Sequence, residues 1–130
     1  MLILNLPYLP AKELSPNWKP YTPGAMWVHK GVRDELSSRI YWLTLEAMEK
    51  AGITAHPAFE RIQITYTFIV PTNRRRDGDN WIARMKPAQD ALVKAGVVSD
   101  DTHEHVAVMP PRFVVEKGRR ETIIEIEEMG

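Results

Sequence analysis

Between residues 74 and 101 the chain reads RRRDGDNWIARMKPAQDALVKAGVVSDD, and the side chains best able to do chemistry are concentrated there. Asp77 and Asp79 flank Gly78 directly after Arg74, Arg75 and Arg76, at the mouth of a predicted helix. Glycine lets the backbone turn so that both carboxylates can face one point. Two unit charges about 4 Å apart repel by roughly 4 kcal/mol at an effective dielectric near ~20, so their convergence requires something positive. A hard cation meets that need, and magnesium takes one or two carboxylates, with waters and phosphate oxygens completing its shell. The ordinary alternative is that Asp-Gly is a turn and Asp79 a helix cap, and capping does not exclude ligation. Asp100 and Asp101 come after the predicted helix has ended at Gly96. A helix of about 16 residues travels roughly 24 Å, so a returning strand is needed to bring Asp101 near Asp77 and Asp79. Read alone, Ser99 and Asp100 are turn or cap residues.

The elements that must position these side chains follow from periodicity and punctuation. Residues 1–8 predict a first strand. Residues 9–24 contain Pro10, Pro16, Pro20 and Pro23, which predicts an extended or turning arm. A long helix is expected from Ala25 to Ala51, with Val28, Val32, Leu36, Ile40, Leu43 and Ala47 as its apolar stripe and Gly52 as its C-terminal cap. Arg61 to Val70 alternates: Ile62, Ile64, Tyr66, Phe68 and Val70 point one way, Gln63, Thr65 and Thr67 the other. That is the pattern of a half-buried strand. Pro71 ends it, and the loop Thr72–Gly78 follows. A second helix is expected from Asn80 to Ala95, with Asp79 and Gly96 as caps and a kink or restart at Pro87. Val106–Glu116 and Glu121–Glu127 predict a hairpin turning at Lys117–Gly118, its first arm made an edge or bulge by Pro110–Pro111. The economical architecture is α+β: a single domain over 1–130, with a mixed β-sheet of about four strands and two main helices.

Composition narrows the classes. At 130 residues the chain is long enough for one core and too short for two. With no cysteine, disulfides and thiolate metal sites are excluded, leaving oxygen ligands or the four histidines. His103-Glu104-His105 could place two imidazoles on one strand face, but without a third soft ligand the zinc reading is poor. The opening run MLILNLPYLP is too short for a signal core, and no stretch approaches the roughly 20 apolar residues that cross a bilayer; a cytoplasmic protein without a membrane partner is expected. Formal net charge is zero, yet residues 61–95 hold seven Lys/Arg against three Asp (+4), and residues 96–130 four against eight acids (−4). A neutral chain with a basic middle can present a local patch to phosphates.

The ordered run Arg76-Asp77-Gly78-Asp79-Asn80, Lys86-Pro87, Asp90-Ala91-Leu92, Ala95-Gly96-Val97 and Asp100-Asp101 resembles the RusA family of Holliday-junction resolvases, tightly over about 74–101 and loosely elsewhere. Leu14-Ser15-Pro16-Asn17 is similar to a further family element. The resemblance implies that Asp77, Asp79 and Asp101 are catalytic, metal-binding carboxylates, that Lys86 is the catalytic lysine, and that the protein is a homodimer. In the family pattern the lysine stands four residues after the second aspartate, where this chain has Ala83; Lys86 stands seven after. Offsets of four and seven share a helix face, and Arg84 is a lesser candidate.

The chemistry so implied is Mg2+-dependent hydrolysis of DNA phosphodiesters, with Mn2+ as a substitute ion and no organic cofactor. One or two ions on Asp77, Asp79 and Asp101 would activate water and stabilise the phosphoryl oxygens, with no separate general base assigned. Lys86 would hold the scissile phosphate or stabilise its developing charge. Arg74, Arg75, Arg76 and Arg84 are the expected DNA-binding residues, and Lys117, Arg119 and Arg120 weaker candidates. Trp81 is read as core or interface before base stacking. A DNA four-way junction presents two equivalent strands, which suits the two active sites of a C2 dimer. The rivals are another metal-dependent DNA nuclease and a junction-binding protein that has lost catalysis.

Overall fold

The structure, a computed structural model, describes residues 1–18 and 23–130; Pro20 of the expected arm lies outside the described residues. In order come β1 (Leu2–Leu6), a 3-10 turn (Lys12–Leu14), α1 (Pro23–Lys50), β2 (Ile62–Val70), α2 (Gly78–Arg84), α3 (Lys86–Lys94), β3 (Val106–Val108), β4 (Arg112–Val115) and β5 (Glu121–Glu128). The α+β single domain is as expected, with a mixed sheet. Among the described residues the strands number five and the helices three, because two expected elements are each divided by proline.

The sheet order is β1-β5-β2, with β3 and β4 both on the far edge of β2. β2 runs antiparallel to β5 and parallel to β3 and β4. The expected hairpin between the last two arms is therefore absent: β2 lies between β4 and β5. The two arms flank the same central strand about 10 Å apart, twice the interstrand spacing, and residues 116–120 cross its end. Glu116 donates its N–H to the Val70 carbonyl there, 2.9 Å, and Arg119 pairs with Glu116 and Glu121. Pro110 and Pro111, which cannot donate to a ladder, split the edge arm into β3 and β4.

One face of the sheet carries Leu2, Leu4 and Leu6, then Ile124 and Ile126, then Ile62, Ile64, Tyr66 and Phe68, all buried against Leu36, Ile40 and Met48 of α1 and Met85, Ala88, Ala91 and Leu92 of the shorter helices. The α1 stripe differs from expectation at its start: Val28 is 55% exposed, and the buried series is Leu36, Ile40, Thr44, Met48. Thr44 fits there because its hydroxyl donates to the Ile40 carbonyl, 2.6 Å, leaving no orphaned polar atom. β2 is not half-buried; Thr65, Thr67 and Ile69 on its second face are also buried. A central strand is screened on both edges, here by Glu125, Ile123 and Glu121 of β5 and by Arg112 and Val114 of β4.

The predicted second helix starts two residues earlier than expected and restarts beside Pro87, as expected. It begins at Gly78, is interrupted at Met85 and restarts at Lys86. The break lets Pro87 occupy the first turn of α3, where a helix needs no N–H from it. Gly52 and Gly96 both cap as expected, at φ +72° and +87°. Each closes a Schellman motif: Ile53 N–H bonds the Met48 carbonyl and Gly52 N–H that of Glu49, and Val97 and Gly96 do the same to Leu92 and Val93. Among the described residues no helix is long and apolar enough to cross a membrane.

Candidate functional site

The three arginines and the Asp-Gly-Asp turn leave the sheet at the end of β2 and deliver Asp77 to the start of α2. Asp77, not Asp79, is the N-cap: its Oδ1 accepts from the N–H groups of Asp79 (3.0 Å) and Asn80 (3.4 Å). A short side-chain oxygen satisfies donors that a first helical turn leaves orphaned. Asp79 is exposed on that first turn, and its carboxylate has no ion-pair or hydrogen-bond partner among the described residues.

At the other end of α2, roughly 10 Å along its seven residues, Lys86 opens α3 and its ammonium bonds Asp101, fifteen residues further on. Asp90, one turn along α3, lies 3.4 Å from the same nitrogen. Each charge stabilises the other. The bond to Asp101 raises the Lys86 pKa above its ordinary value, against partial desolvation. The Lys86 ammonium holds the Asp101 carboxyl below its ordinary range, with smaller contributions from hydrogen bonds to Asp90 and Asp100. Asp100 also bonds the Asp101 N–H, 2.6 Å, which fixes the turn bearing both acids. The reach of Lys86, across an offset of seven from Asp79 and a proline, is thus to Asp101.

The expected gathering of Asp77, Asp79 and Asp101 around one point is not seen among the described residues. Among the described residues no group of three or more His, Asp or Glu side chains is disposed to hold a metal ion. Asp77 and Asp79 both stand at the mouth of α2; Asp101, Asp100 and Asp90 form another cluster, in which Lys86 pairs with Asp101 and Asp90. Magnesium needs only one or two carboxylates beside waters and phosphate, and the Asp77–Asp79 pair fits that requirement: Asp79 is uncommitted and Asp77 bonds the helix through one oxygen alone. Asp101 is committed to the Lys86 ammonium.

The arginines divide by partner. Arg76 is committed to its own loop, donating to the carbonyls of Thr72 (2.9 Å) and Arg74 (2.8 Å) and to the Thr72 hydroxyl (3.2 Å). It orders the turn that presents Asp77. Arg74 and Arg75 are exposed with no such bonds among the described residues. Arg84 lies over the Trp81 ring, 4.8 Å from its centroid, with Arg76 5.9 Å away; partial burial lowers the Arg84 pKa, opposed by the charge of Glu13. Trp81 packs edge-on against Phe68 and Phe113, the core role expected of it.

Two residues of the site were quoted in the sequence motifs without a role. Asn80 donates its amide to the Ser15 hydroxyl, 2.8 Å, and accepts from Arg84 Nε, 3.1 Å. Arg84 in turn reaches the Pro10 carbonyl at 3.5 Å. The Leu14–Asn17 element is thereby tied to α2. The only signal for this was the polar character of both motifs, which fixes no pairing. His105, on the turn before β3, bonds the Glu60 carbonyl through Nδ1 at 2.8 Å, so the His103–His105 pair does not sit on a strand. No protein-family model matches the chain, and no curated protein is matched by it.

Proposed function

We propose that this chain is a Mg2+-dependent, structure-selective endodeoxyribonuclease that acts as a homodimer and resolves four-way DNA junctions by paired symmetric nicks. The observation that carries this reading is the union of Lys86 with Asp101. A lysine and an acid fifteen residues apart meet past one end of a short helix whose other end carries Asp77, Asp79 and an arginine-rich loop. The resemblance of residues 74–101 to junction resolvases supports the substrate and the dimer.

Asp77 and Asp79 would hold the ion, with Asp101 joining when released. When bound, the ion supplies Lewis-acid polarisation of a phosphoryl oxygen and a lowered pKa for water. The protein's own part is positioning and charge. Asn80, fixed by Ser15 and Arg84, holds the first turn of α2 beneath Asp79. Arg74 and Arg75 orient the backbone through phosphate oxygens, which position a duplex without reading its sequence. Lys86, a compact point charge, turns from Asp101 to the scissile phosphate and stabilises its developing negative charge.

A second reading, a junction-binding protein without catalysis, is favoured by the commitments of two of the three acids: Asp77 caps α2 and Asp101 pairs with Lys86. The two readings separate on a synthetic four-way junction incubated with and without Mg2+ or Mn2+, with linear duplex as control. Metal-dependent paired nicking, abolished by Asp79→Asn while junction binding persists, supports the enzyme. Tight junction binding by a wild type that never cuts with either ion sinks it.

A further inference from the structure

Beside the acids lies a cleft of about 480 Å3 whose lining includes Lys12, Arg74, Arg75, Arg84, Arg120 and Trp81. These cations come from separate segments: the 3-10 turn, the loop after β2, α2 and the turn before β5. Elsewhere among the described residues Arg33, Arg39 and Arg119 are matched by acids, in Arg33–Asp34, Arg39–Glu35 and the Arg119 pairs with Glu116 and Glu121; Arg61 and Arg112 stand singly, whereas here several unmatched cations share one cleft. Here the lining holds a single carboxylate, Asp77, and that carboxylate caps α2. Glu13 acts on Arg84 from nearby, but Lys12, Arg74, Arg75 and Arg120 form no ion pair among the described residues. Like charges converging without counter-charge repel, if only weakly where solvent screens them, so an anion between them would be favoured.

The lining also indicates which anion. Trp81 already has two guanidiniums close to its ring and two aromatic neighbours, which leaves it poorly placed to stack a base. It acts instead as a platform beneath Arg84. Guanidinium forks suit phosphate oxygens. Asp79, Lys86 and Asp101 are not among the lining residues, so the cleft is distinct from the Lys86–Asp101 cluster.

We propose that this cleft binds a non-scissile backbone phosphate of DNA, with Lys12 and Arg120 as phosphate ligands in addition to the arginines of the loop. The inference rests on DNA being the bound polymer and is independent of whether the chain cuts it. It assigns a role to Lys12, selects Arg120 over its neighbours Lys117 and Arg119, and places the DNA strand across the side of α2 that faces the arm before α1.

The test is the salt dependence of binding to a fluorescent four-way junction, in EDTA, for wild type, Lys12→Gln, Arg120→Gln and Lys50→Gln, the last at the distant end of α1. Each cleft variant should flatten the slope of log K against log salt by about 0.9, the contribution of one phosphate contact; Lys50→Gln should leave it as in wild type. Equal slopes for Lys12→Gln, Arg120→Gln and wild type overturn the proposal even if the wild type cuts junctions. Flattened slopes in a protein that never cuts uphold the cleft while removing the nuclease reading. A free phosphate anion is the other source of the same chemistry. If Lys12→Gln and Arg120→Gln abolish thermal stabilisation by inorganic phosphate yet keep the wild-type DNA slope, the assignment to DNA falls.

Discussion

Asn80 donates its side-chain amide to the hydroxyl of Ser15 at 2.8 Å, across 65 positions of chain. This bond joins the arm before α1 to the first turn of α2, and the Asn80 carbonyl oxygen relays it to Arg84 at 3.1 Å. The contact is partly buried, so loss of one partner leaves the other short of a bond.

Ser15→Ala and Asn80→Ala should therefore each destabilise the fold, by about 1 kcal/mol for a net hydrogen bond of this kind. Their effects should not add: a double-mutant cycle in urea is expected to give a coupling of about 0.5–1.5 kcal/mol. Strict additivity would show that the two side chains do not meet in solution.

The Lys86–Asp101 pair should matter far more to catalysis than to stability. Lys86 is 57% exposed, and solvent-screened pairs are worth about 0.2–1 kcal/mol. Asp101→Asn should lower unfolding stability by under ~1 kcal/mol while reducing Mg2+-dependent nicking on the order of 100-fold or more. Lys86→Met removes the cation that competes for Asp101. Mn2+ binding, followed by electron paramagnetic resonance, should tighten by about fivefold, equivalent to ~1 kcal/mol, even as nicking falls. Unchanged or weaker Mn2+ binding would mean that Asp101 is not a ligand.

Tyr66 predicts an alkaline weakness. It is fully buried and its hydroxyl has no hydrogen-bond partner among the described residues, the nearby Gln89 amide not reaching bonding geometry. Desolvation pushes its pKa well above the ordinary value of 10.0, with Gln89 acting slightly the other way. A phenol whose folded pKa is raised contributes stability that is complete below pH 10.0 and is lost progressively above it. Tyr66→Phe should raise the urea midpoint at pH 7, by about 1 kcal/mol of relieved desolvation, and should lessen the fall in stability between about pH 10 and 12. A lower midpoint at pH 7 would show that the hydroxyl is satisfied after all.

The two helix-capping glycines should differ in tolerance. Both have positive φ, +72° at Gly52 and +87° at Gly96, where an L side chain costs about 1–2 kcal/mol. A Cβ at Gly52 meets open space, whereas one at Gly96 would clash with the His56 imidazole at Nδ1. Gly96→Ala should be the more destabilising of the two in thermal unfolding, and adding His56→Ala should recover the difference. Equal losses would indicate that the imidazole swings aside freely.

Much of the scaffold was legible in order and type. The long helix, the strand ending at Val70, both capping glycines and the α+β class follow from periods and punctuation that act over a few residues. The break in the second helix was foreseen near Pro87 and occurs at Met85, because a proline is accommodated in a first turn more readily than within a helix. The identity of the cap was misplaced by two residues because Asp77 and Asp79 have equal capping chemistry, and only the path of the preceding loop chooses between them.

What the sequence determined by itself is which groups are present: a cluster of acids, a basic loop, a lysine and no thiols, set on elements whose local periods are unambiguous. Which groups meet was decided by tertiary structure. β5 inserted between β1 and β2 instead of folding back on β4, because the central strand offers two edges and local sequence does not say which one a later strand will take. Lys86 turned to Asp101 and Asn80 to Ser15, while Lys12 and Arg120 came to line one cleft with the arginine loop. Each of these contacts joins segments whose separation along the chain exceeds the range of any periodic signal, so only the packing of the sheet against its helices could bring them together.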